Sequence, residues 1–479
     1  MSHIEVHQMD ENVVEKRHNL IYGLNDKPPF LDALFVALQH VGAIFIPIAT
    51  PGLIICGALN FDVNTTSYIL GMSLFVSGIA TFIQARTFGP VGSGLLNIQG
   101  TSFAFVSAIV AVITTSQESG KTPEQTIALV LGLCFFGSFI PIILSRFLHL
   151  TQKIFTPLVT GTTVTLIGLT LIKVGMFYMA GGAAAKQNGT FGSLQNWALS
   201  GLVFAIVSYC SASTNKYLKM GSVVISLTIG FVISLALGIV DFSRLGGLPL
   251  INIPVPFRFG LAFDFATFIP FAILYIALTL EVVGDITATA MISGEPIKGG
   301  QFFRRLKGGI LGDGVNSLLA ACCSTFPVVT LAQNNGIIQL TGVGSRYVGY
   351  YVAAILTFLG LFPIIGGLLI TIPMPVFGGA VMLMFGTVAV AGFNILRGVE
   401  MDNRSFVILA VALSTGLGVT FLPEAIHEFP PQLRSIFESG IATGSIFALV
   451  LNLIMPKTKE LSKEEALMLS DLHRPVEPD

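Results

Sequence analysis

The chain has 479 residues, of which 53% are hydrophobic and only 11% are charged, and its mean hydropathy is +0.81. A soluble domain carries about a quarter charged residues, so this composition excludes an ordinary water-soluble protein and indicates an integral membrane protein. The net charge of −1 argues against a nucleic-acid partner. The five cysteines lie mainly in apolar stretches, which is typical of buried, reduced thiols.

Fourteen apolar segments follow one another between a polar tail at residues 1–30 and a second tail at residues 456–479. Crossing about 30 Å of hydrocarbon takes roughly 20 apolar residues, and most of the segments approach that length. We predict an all-α polytopic membrane protein with two groups of seven spans, residues 31–240 and residues 265–455. The predicted spans are 31–59, 66–85, 101–115, 125–147, 154–178, 195–212, 221–240, 265–292, 308–323, 335–342, 346–365, 369–391, 405–422 and 435–455.

Lysine and arginine residues are unevenly distributed over the segments that join these spans. Most of them fall in the two tails and in the loops after even-numbered spans, among them Arg86, Lys153 and Arg304. Cytoplasmic loops carry an excess of such residues. The pattern therefore predicts an even number of crossings, with both termini in the cytoplasm.

The third and tenth spans are short for a crossing and follow residues that interrupt helices. Gly92, Gly94 and Gly100 precede the third span, and Pro327 with a run of polar residues precedes the tenth. The two spans hold the same position in their seven-span halves, and an odd number of spans per half makes the halves inverted. Such a pair points to a transporter's binding site, because irregular backbone at membrane depth must line a protein cavity. Re-entrant loops of purely structural use are the alternative.

Two carboxylates stand within the eighth predicted span, where a charged side chain costs about 2.5–3.5 kcal/mol or more. If this helix is capped near Asp264 and ends near Ser293, Glu281 lies close to its middle and Asp285 one turn further. The i, i+4 spacing places both on one face, about 5–6 Å apart at Cβ. Two carboxylates this close and away from water disfavour simultaneous ionisation, so one would exchange a proton in a proton-coupled carrier. A static pair bonded to broken backbone is the alternative.

Two further titratable residues lie within predicted spans. Asp313 is placed at the opening of the ninth span, where it is either a proton-relay carboxylate or a helix-entry residue near the cytoplasmic surface. His40 lies inside the first span. We interpret His40 as a hydrogen-bonded packing element, with orientation of a carboxylate in another span as the alternative.

Amide side chains open the tenth segment, which reads QNNG at residues 333–336. A carboxamide offers one acceptor and two donors, and a carboxylate such as Glu281 accepts from ring N–H groups. Together they match the alternating N–H and C=O edge of an oxopurine or an oxopyrimidine. In the matching first-half segment, Phe103 is placed to stack on a planar ring, with an ordinary core position as the alternative.

The run QNNGIIQLTG at residues 333–342 resembles the signature motif of the nucleobase–ascorbate transporters, the second family of nucleobase–cation symporters. The pair QH at residues 39–40, the stretch EVVGDITAT at residues 281–289 and the stretch RLKGGILGDG at residues 305–314 fit the same family. The resemblance covers residues 20–456. Among the members, the chain is most similar to the bacterial xanthine permeases.

The resemblance implies two inverted seven-span repeats divided into a core domain and a gate domain, in a homodimer in the plasma (bacterial inner) membrane. It also implies uptake of a purine nucleobase, most of all xanthine, by proton symport. The substrate would lie between the third and tenth segments and the eighth helix. The implied substrate-binding residues are Glu281, Gln333, Phe103, Ser102, Asn334 and Gly336, and the implied proton-coupling and supporting residues are Asp285, Asp313 and His40.

The choice of nucleobase stays open within this resemblance. Gln333 fits xanthine-type carriers, whereas uracil carriers of the family tend to have a carboxylate at that position. A uracil-type pyrimidine permease is therefore the alternative. Ser102 stands where some xanthine permeases have asparagine, and a smaller side chain there leaves uric acid or a related oxopurine as a substrate.

Three other classes of protein fit the residues less well. An anion carrier of the same architecture is disfavoured because Glu281 and Asp285 would repel an anion. A channel predicts rings of like residues or a repeated filter, and the two interrupted segments are dissimilar. No H-E-x-x-H, G-x-S-x-G or clustered Cys/His motif occurs, so the sequence predicts neither an enzyme nor a metal or cofactor site.

Overall fold

The computed structural model describes residues 20–148, 156–215, 218, 221–240, 242, 248–296, 299–331, 333–426, 428–429, 437 and 440–456. Much of the predicted tails at residues 1–30 and 456–479 lies outside these described residues. The described part is mostly helical, with two short strands.

The first half of the chain consists of long apolar helices with one interruption. Asp62 caps the N-terminus of the second helix, because its side chain accepts hydrogen bonds from the backbone N–H groups of Asn64 and Thr65. The elements of this half are α1 (Phe30–Ala58), α2 (Val63–Arg86), β1 (Gln99–Thr101), a 3-10 turn (Phe103–Phe105), α3 (Val106–Glu118), α4 (Pro123–Gly137), α5 (Phe139–Leu144), α6 (Pro157–Met179), α7 (Gly182–Gln187), α8 (Leu194–Ala212) and α9 (Ser222–Ala236).

The second half follows the same plan. The predicted bounds of the eighth span are confirmed, because its helix begins after Asp264, whose carboxylate accepts from the backbone N–H of Thr267 at 2.8 Å, and ends before Ser293. The elements of this half are α10 (Phe265–Ile292), α11 (Gly299–Cys322), β2 (Val328–Thr330), α12 (Gln333–Thr341), α13 (Arg346–Gly360), α14 (Pro363–Ile370), α15 (Met374–Leu396), α16 (Asn403–Phe421), a 3-10 turn (Pro423–Ile426) and α17 (Gly440–Ile454).

The two halves match element by element around their strands. In each half, two long helices precede a short strand and a shorter helix. The next segment is the nearly continuous pair α4 and α5 in the first half and the bent pair α13 and α14 in the second. The strands β1 and β2 pair antiparallel, with Gly100 opposite Val329. The all-α prediction is therefore wrong at these two strands. Extended backbone pairs with itself here because lipid offers no hydrogen-bond partner.

Helix length and composition bear on the number of membrane crossings. With α4 and α5 counted as one helix, seven helices of the described residues are long and apolar enough to cross a membrane, or up to eight if the bent pair α13 and α14 is one span. Three shorter apolar helices also occur, at Phe103–Glu118, Ser222–Ala236 and Gly440–Ile454. The count of fourteen spans stays a prediction.

The predicted eleventh and twelfth spans, 346–365 and 369–391, have the wrong bounds. The structure breaks the eleventh segment between Gly360 and Pro363, where α13 and α14 meet at a bend of 78°. Proline lacks an N–H and forces the residue before it out of the helical region, and Phe362 is accordingly extended. The next helix, α15, begins only at Met374.

The helices pack in two groups. The first group contains α1–α5 and α10–α14 with the two strands, and the second contains α6, α8, α9 and α15–α17. In the second group α6 and α15 touch closely, because a Cβ on Gly168 would collide with the backbone of Ala389 and one on Gly161 would come within 2.7 Å of Leu396 Cγ. Small residues that permit such contact are typical of helix interfaces in membranes.

Candidate functional site

The two broken segments meet at the paired strands β1 and β2. The backbone N–H of Ser102 donates to the carbonyl oxygen of Pro327 at 2.8 Å, and the N–H of Leu331 donates to that of Ile98 at 2.9 Å. Each strand then leads within a few residues into a helix start, at the 3-10 turn before α3 and at α12. Helix N-termini carry unpaired N–H groups and partial positive charge. The pairing of β1 with β2 therefore brings the backbone N–H donors of two helix N-termini close together.

The carboxylates of α10 lie on the helix face that contacts these segments. Glu281 and Asp285 are both half-buried, four residues apart, and α10 packs against β2 and α12. The Oδ2 atom of Asp285 is buried and has no hydrogen-bond partner among the described residues. Glu281 and Asp285 share a helix face, and α11, which carries the buried Asp313, packs against α10. Two packed helices therefore carry three carboxylates near the broken segments.

A contact that the sequence did not reveal joins α10 to α12. Thr289 stands four residues after Asp285, and its hydroxyl lies 2.6 Å from Oδ1 of Asn335 and 2.8 Å from the backbone oxygen of Asp285. Thr289 is fully buried. This hydroxyl ties the carboxylate helix to the first turn of the second broken helix.

The amide residues at the start of α12 divide between support and the site itself. Asn334 is fully buried, and its Nδ2 donates to the backbone oxygen of Leu96, in the loop before β1. Its Oδ1 is buried without a partner among the described residues. The side chain of Gln333 and the surroundings of Gly336 lie outside what the structure describes. Asn334 thus links the two broken segments, while the substrate contacts of Gln333 and Gly336 stay predictions.

The aromatic residue of the first broken segment is buried at the boundary of the two packing groups. The ring of Phe103 is 8% exposed and packs edge-to-face on Phe385 of α15, with centroids 5.7 Å apart. Ser102 precedes it as the cap of the 3-10 turn, and its Oγ accepts from the N–H of Ala104 at 3.3 Å. In this structure the hydroxyl of Ser102 serves the local backbone.

Asp313 lies well inside a helix, so its interpretation as a helix-entry residue is wrong, and its proton-relay role stays a prediction. The helix α11 already begins at Gly299, and Asp313 is only 3% exposed. Its Oδ1 accepts from Nε2 of Gln84 at 2.5 Å, and its Oδ2 accepts from the N–H of Thr330 at 3.3 Å. Gln99 joins the same cluster, because its Nε2 donates to the hydroxyl of Thr330 at 2.8 Å. A buried carboxylate thus holds strand β2 at its end.

His40 is placed in α1 as predicted and is completely buried. Neither ring nitrogen has a hydrogen-bond partner among the described residues. Its predicted hydrogen-bonding role and its alternative, orientation of a carboxylate, therefore both stay predictions. Within the described part of the chain, no three His, Cys, Asp or Glu side chains gather as a metal site would require.

Comparison with known proteins places this arrangement in a family. The family model Xan_ur_permease, described as "Permease family", matches residues 31–425. The chain belongs to the nucleobase–ascorbate transporter family. Within this family it is 43% identical to the xanthine permease XanQ of Escherichia coli K12 over 438 residues, which are 91% of this chain and 94% of that protein.

Two further relatives of the nucleobase–ascorbate transporter family extend the comparison. The xanthine permease XanP of E. coli K12 is 42% identical over 442 residues, covering 92% of this chain and 96% of that protein. A putative purine permease of Clostridium perfringens is 35% identical over 448 residues, covering 94% of this chain and 96% of that protein. The chain thus aligns with these permeases over nearly their whole length.

Solved structures show the fold at lower sequence identity. The transmembrane domain of the cyanobacterial bicarbonate transporter BicA is similar with a TM-score of 0.57 and 14% identity, covering 90% of this chain and all of that chain. Murine Slc26a9, an anion transporter in its inward-facing state, gives a TM-score of 0.56 and 13% identity, covering 91% of this chain and 70% of that chain. At such identities the likeness concerns the fold alone.

Proposed function

We propose that this protein is a proton-coupled symporter that imports a purine nucleobase, with xanthine as the preferred substrate. The observation that carries the proposal is the placement of Glu281 and Asp285 on α10, half-buried and next to two broken segments that present helix N-termini. Ionisable residues at such a position within a membrane protein are functional by default. Relatives that are 43% and 42% identical are named xanthine permeases, which favours this substrate over a pyrimidine.

The proposed substrate contacts are those of Glu281, Gln333 and Phe103, around the paired strands β1 and β2. The carboxylate of Glu281 accepts from ring N–H groups of the purine, and the amide of Gln333 bonds the adjoining carbonyl and N–H edge. Phe103 provides a ring for stacking once it separates from Phe385 of α15. Asn334 and Thr289 keep α12 in register with its neighbours through their contacts to Leu96 and Asn335.

Proton coupling follows from the crowding of carboxylates. Glu281 and Asp285 lie one turn apart on α10, α11 with Asp313 packs against that helix, and like charges that close in a poorly solvated site disfavour simultaneous ionisation. A proton on one carboxylate removes this repulsion and leaves Glu281 ionised to accept hydrogen bonds from the substrate. Proton binding and substrate binding therefore favour each other, which is thermodynamic coupling between the two ligands.

The proposed architecture is fourteen spans in two inverted halves. The matching order of elements in the two halves and the pairing of β1 with β2 support it. The first packing group would be the core domain that carries the site, and the second group would be the gate domain. A homodimer in the bacterial inner membrane with both termini in the cytoplasm completes the proposal.

Uptake of radiolabelled xanthine tests the function directly. Cells without their own purine carriers should accumulate the label when they express this chain, and a protonophore should abolish the accumulation. Competition by urate, guanine, hypoxanthine and uracil should rank the purines ahead of uracil. Accumulation that persists after the proton gradient collapses would contradict symport.

A pair of matched variants tests the site. Glu281→Gln removes the charge of the proposed substrate carboxylate and should abolish uptake at unchanged membrane abundance. Glu424→Gln makes the same chemical change at an exposed position and should leave uptake intact. Normal transport by Glu281→Gln would remove Glu281 from the site.

A further inference from the structure

A groove lies between α2 and α13, on the surface of the first packing group. It encloses about 420 Å³, and its lining includes Gly78, Phe82, Tyr350, Ala354 and Phe358. The two helices touch at Gly78, because a Cβ there would collide with the Thr357 hydroxyl. Small and aromatic residues therefore line a largely apolar groove between the two helices.

The length of this groove matches one leaflet of a bilayer. Its lining runs along α13 from Tyr350 to Leu361, which corresponds to about 16 Å at a rise of about 1.5 Å per residue. Half of a hydrocarbon core of about 30 Å is nearly the same depth. Phe358, at the end of the lining away from Phe82, is 62% exposed and offers an apolar surface beside Thr357 and Leu361.

Basic residues gather at the other end. Arg86 stands four residues after Phe82 on α2, and Arg346 stands four residues before Tyr350 on α13, so each lies on the same helix face as its aromatic neighbour. The helices run antiparallel there, with the rings of Phe82 and Tyr350 5.3 Å apart. Both arginines therefore lie at one end of the groove.

A third cation and the local acidic groups complete the charge balance. Lys27 lies 5.3 Å from the ring centroid of Tyr347. Asp26 accepts a hydrogen bond from the N–H of Gly23 at 2.7 Å, and Asp32 accepts one from Tyr22 at 3.0 Å. No ion pair joins Lys27 or either arginine to any residue that the structure describes. The cations therefore remain available to an external anion.

We propose that this groove binds an anionic glycerophospholipid, with one acyl chain between α2 and α13 and the phosphate at Lys27, Arg86 and Arg346. The apolar channel of one-leaflet depth fits an acyl chain. The cluster of three cations at its end fits a negative headgroup, as basic pockets between membrane helices do. The proposal concerns the outer surface of the first packing group and does not depend on which substrate the protein carries.

Lipid titration of the delipidated full-length protein, followed by native mass spectrometry, tests the headgroup. Phosphatidylglycerol should bind more tightly than phosphatidylcholine with the same acyl chains. The double variant Arg86→Gln/Arg346→Gln should weaken phosphatidylglycerol binding about 30-fold, because each basic residue near such a headgroup contributes about a factor of five. Arg397→Gln, on an exposed arginine at the end of α15, should change nothing. Equal affinity for the two lipids would overturn the proposal.

A second variant tests the acyl channel. Ala354→Trp fills the groove at an exposed position and should abolish binding of the tightly held phosphatidylglycerol, whereas Ala205→Trp makes the same change at an exposed position on α8 and should not. Retention of the lipid by Ala354→Trp would overturn the proposal. The proposal would also be overturned if the lipid-free wild-type protein were a dimer and Ala354→Trp were a monomer. A second copy of the chain would then occupy the groove.

Discussion

Gln84 and Asp313 join helices from the two halves of the chain, with Nε2 of Gln84 2.5 Å from Oδ1 of Asp313. The same Nε2 donates to the backbone oxygen of Gly309 at 2.8 Å, and Oε1 of Gln84 accepts from the N–H of Ser93 at 2.9 Å. The other carboxylate oxygen of Asp313 accepts from the N–H of Thr330 at 3.3 Å. One amide and one carboxylate therefore connect α2, α11 and the strand β2.

Replacement of Gln84 by alanine should destabilise the protein through Asp313. The substitution removes the hydrogen bond to Oδ1 of Asp313 and leaves the N–H of Ser93 without its side-chain acceptor, and an unsatisfied buried polar group costs about 1–3 kcal/mol, more if charged. The thermal midpoint in detergent should fall by several degrees, and uptake should fall with it. Gln195→Ala on the exposed side of α8 is the matched control and should leave both unchanged. A midpoint equal to that of the control would show that the contact contributes little.

The sequence predicts the parts of this molecule that local patterns determine. The bounds of α10 follow from Asp264 and Ser293, and the position of Glu281 near its middle follows from those bounds. Thr289 was also within reach of sequence reasoning, since it continues the i, i+4 series of Glu281 and Asp285. Pro363 was a local indication of the break between α13 and α14. The residues on both sides of it are apolar, so the sequence analysis continued the span through it.

The features that sequence analysis missed or placed wrongly depend mostly on contacts with residues far away in the chain. Nothing near Gln84 indicates that its amide meets Asp313, 229 residues later. The strands β1 and β2 are three residues each and lack a strand pattern, and only their pairing across the two halves makes them strands. Asp313 was placed too near a helix end because the charged stretch before Gly308 was not recognised as helical.

Removal of the Thr289 hydroxyl should loosen α12 from α10. Thr289→Val keeps the shape of the side chain and deletes the 2.6 Å contact with Asn335, which leaves the amide oxygen of the half-buried Asn335 without this partner. A net hydrogen bond is worth about 1 kcal/mol, so stability should change little while the uptake rate falls, because the substrate contacts of α12 lose their position. Thr114→Val, at an exposed position on α3, should have no effect on uptake. Equal uptake by the two variants would count against a positioning role for Thr289.

The close packing of strand β1 requires a glycine at position 100. A Cβ at this position would lie 2.6 Å from Leu331 Cδ1 and 2.9 Å from Ile48 Cγ1, both below ordinary contact distances. Gly100→Val should therefore separate β1 from its neighbours, which will abolish uptake and reduce the yield of folded protein on size-exclusion chromatography. Gly57→Ala is the control, since a Cβ there meets nothing within 4 Å and alanine favours the helix. Wild-type behaviour of Gly100→Val would mean that the strand pair tolerates more space than its packing indicates.

The cap of the carboxylate helix should make a pH-dependent contribution to stability. The hydroxyl and N–H of Thr267 both donate to Asp264, and these hydrogen bonds hold the pKa of Asp264 below its usual range. A lowered carboxylate pKa contributes stability above its unfolded value of about 3.9, and the contribution is lost as the pH falls through the folded value. Asp264→Ala should cost about 1 kcal/mol at pH 7 and less as the pH drops below about 4. Asp264→Ser should retain most of the cap with no such pH dependence, and thermal midpoints over a pH series will compare the three proteins.

Glu281 and Asp285 should have different roles, with Glu281 binding the substrate and Asp285 binding the coupled proton. Asp285→Asn keeps the size of the side chain and removes its charge, so xanthine should still raise the thermal midpoint of this variant and still exchange across vesicles loaded with xanthine. Accumulation against a gradient should be lost, because Asp285 no longer binds and releases a proton. Glu281→Gln should instead lose the thermal shift itself, and Glu124→Gln, at an exposed carboxylate before α4's apolar stretch, should behave as the wild type. Protonophore-sensitive accumulation by Asp285→Asn would assign the proton to another carboxylate, and the buried Asp313 on the neighbouring helix α11 would be the next to replace.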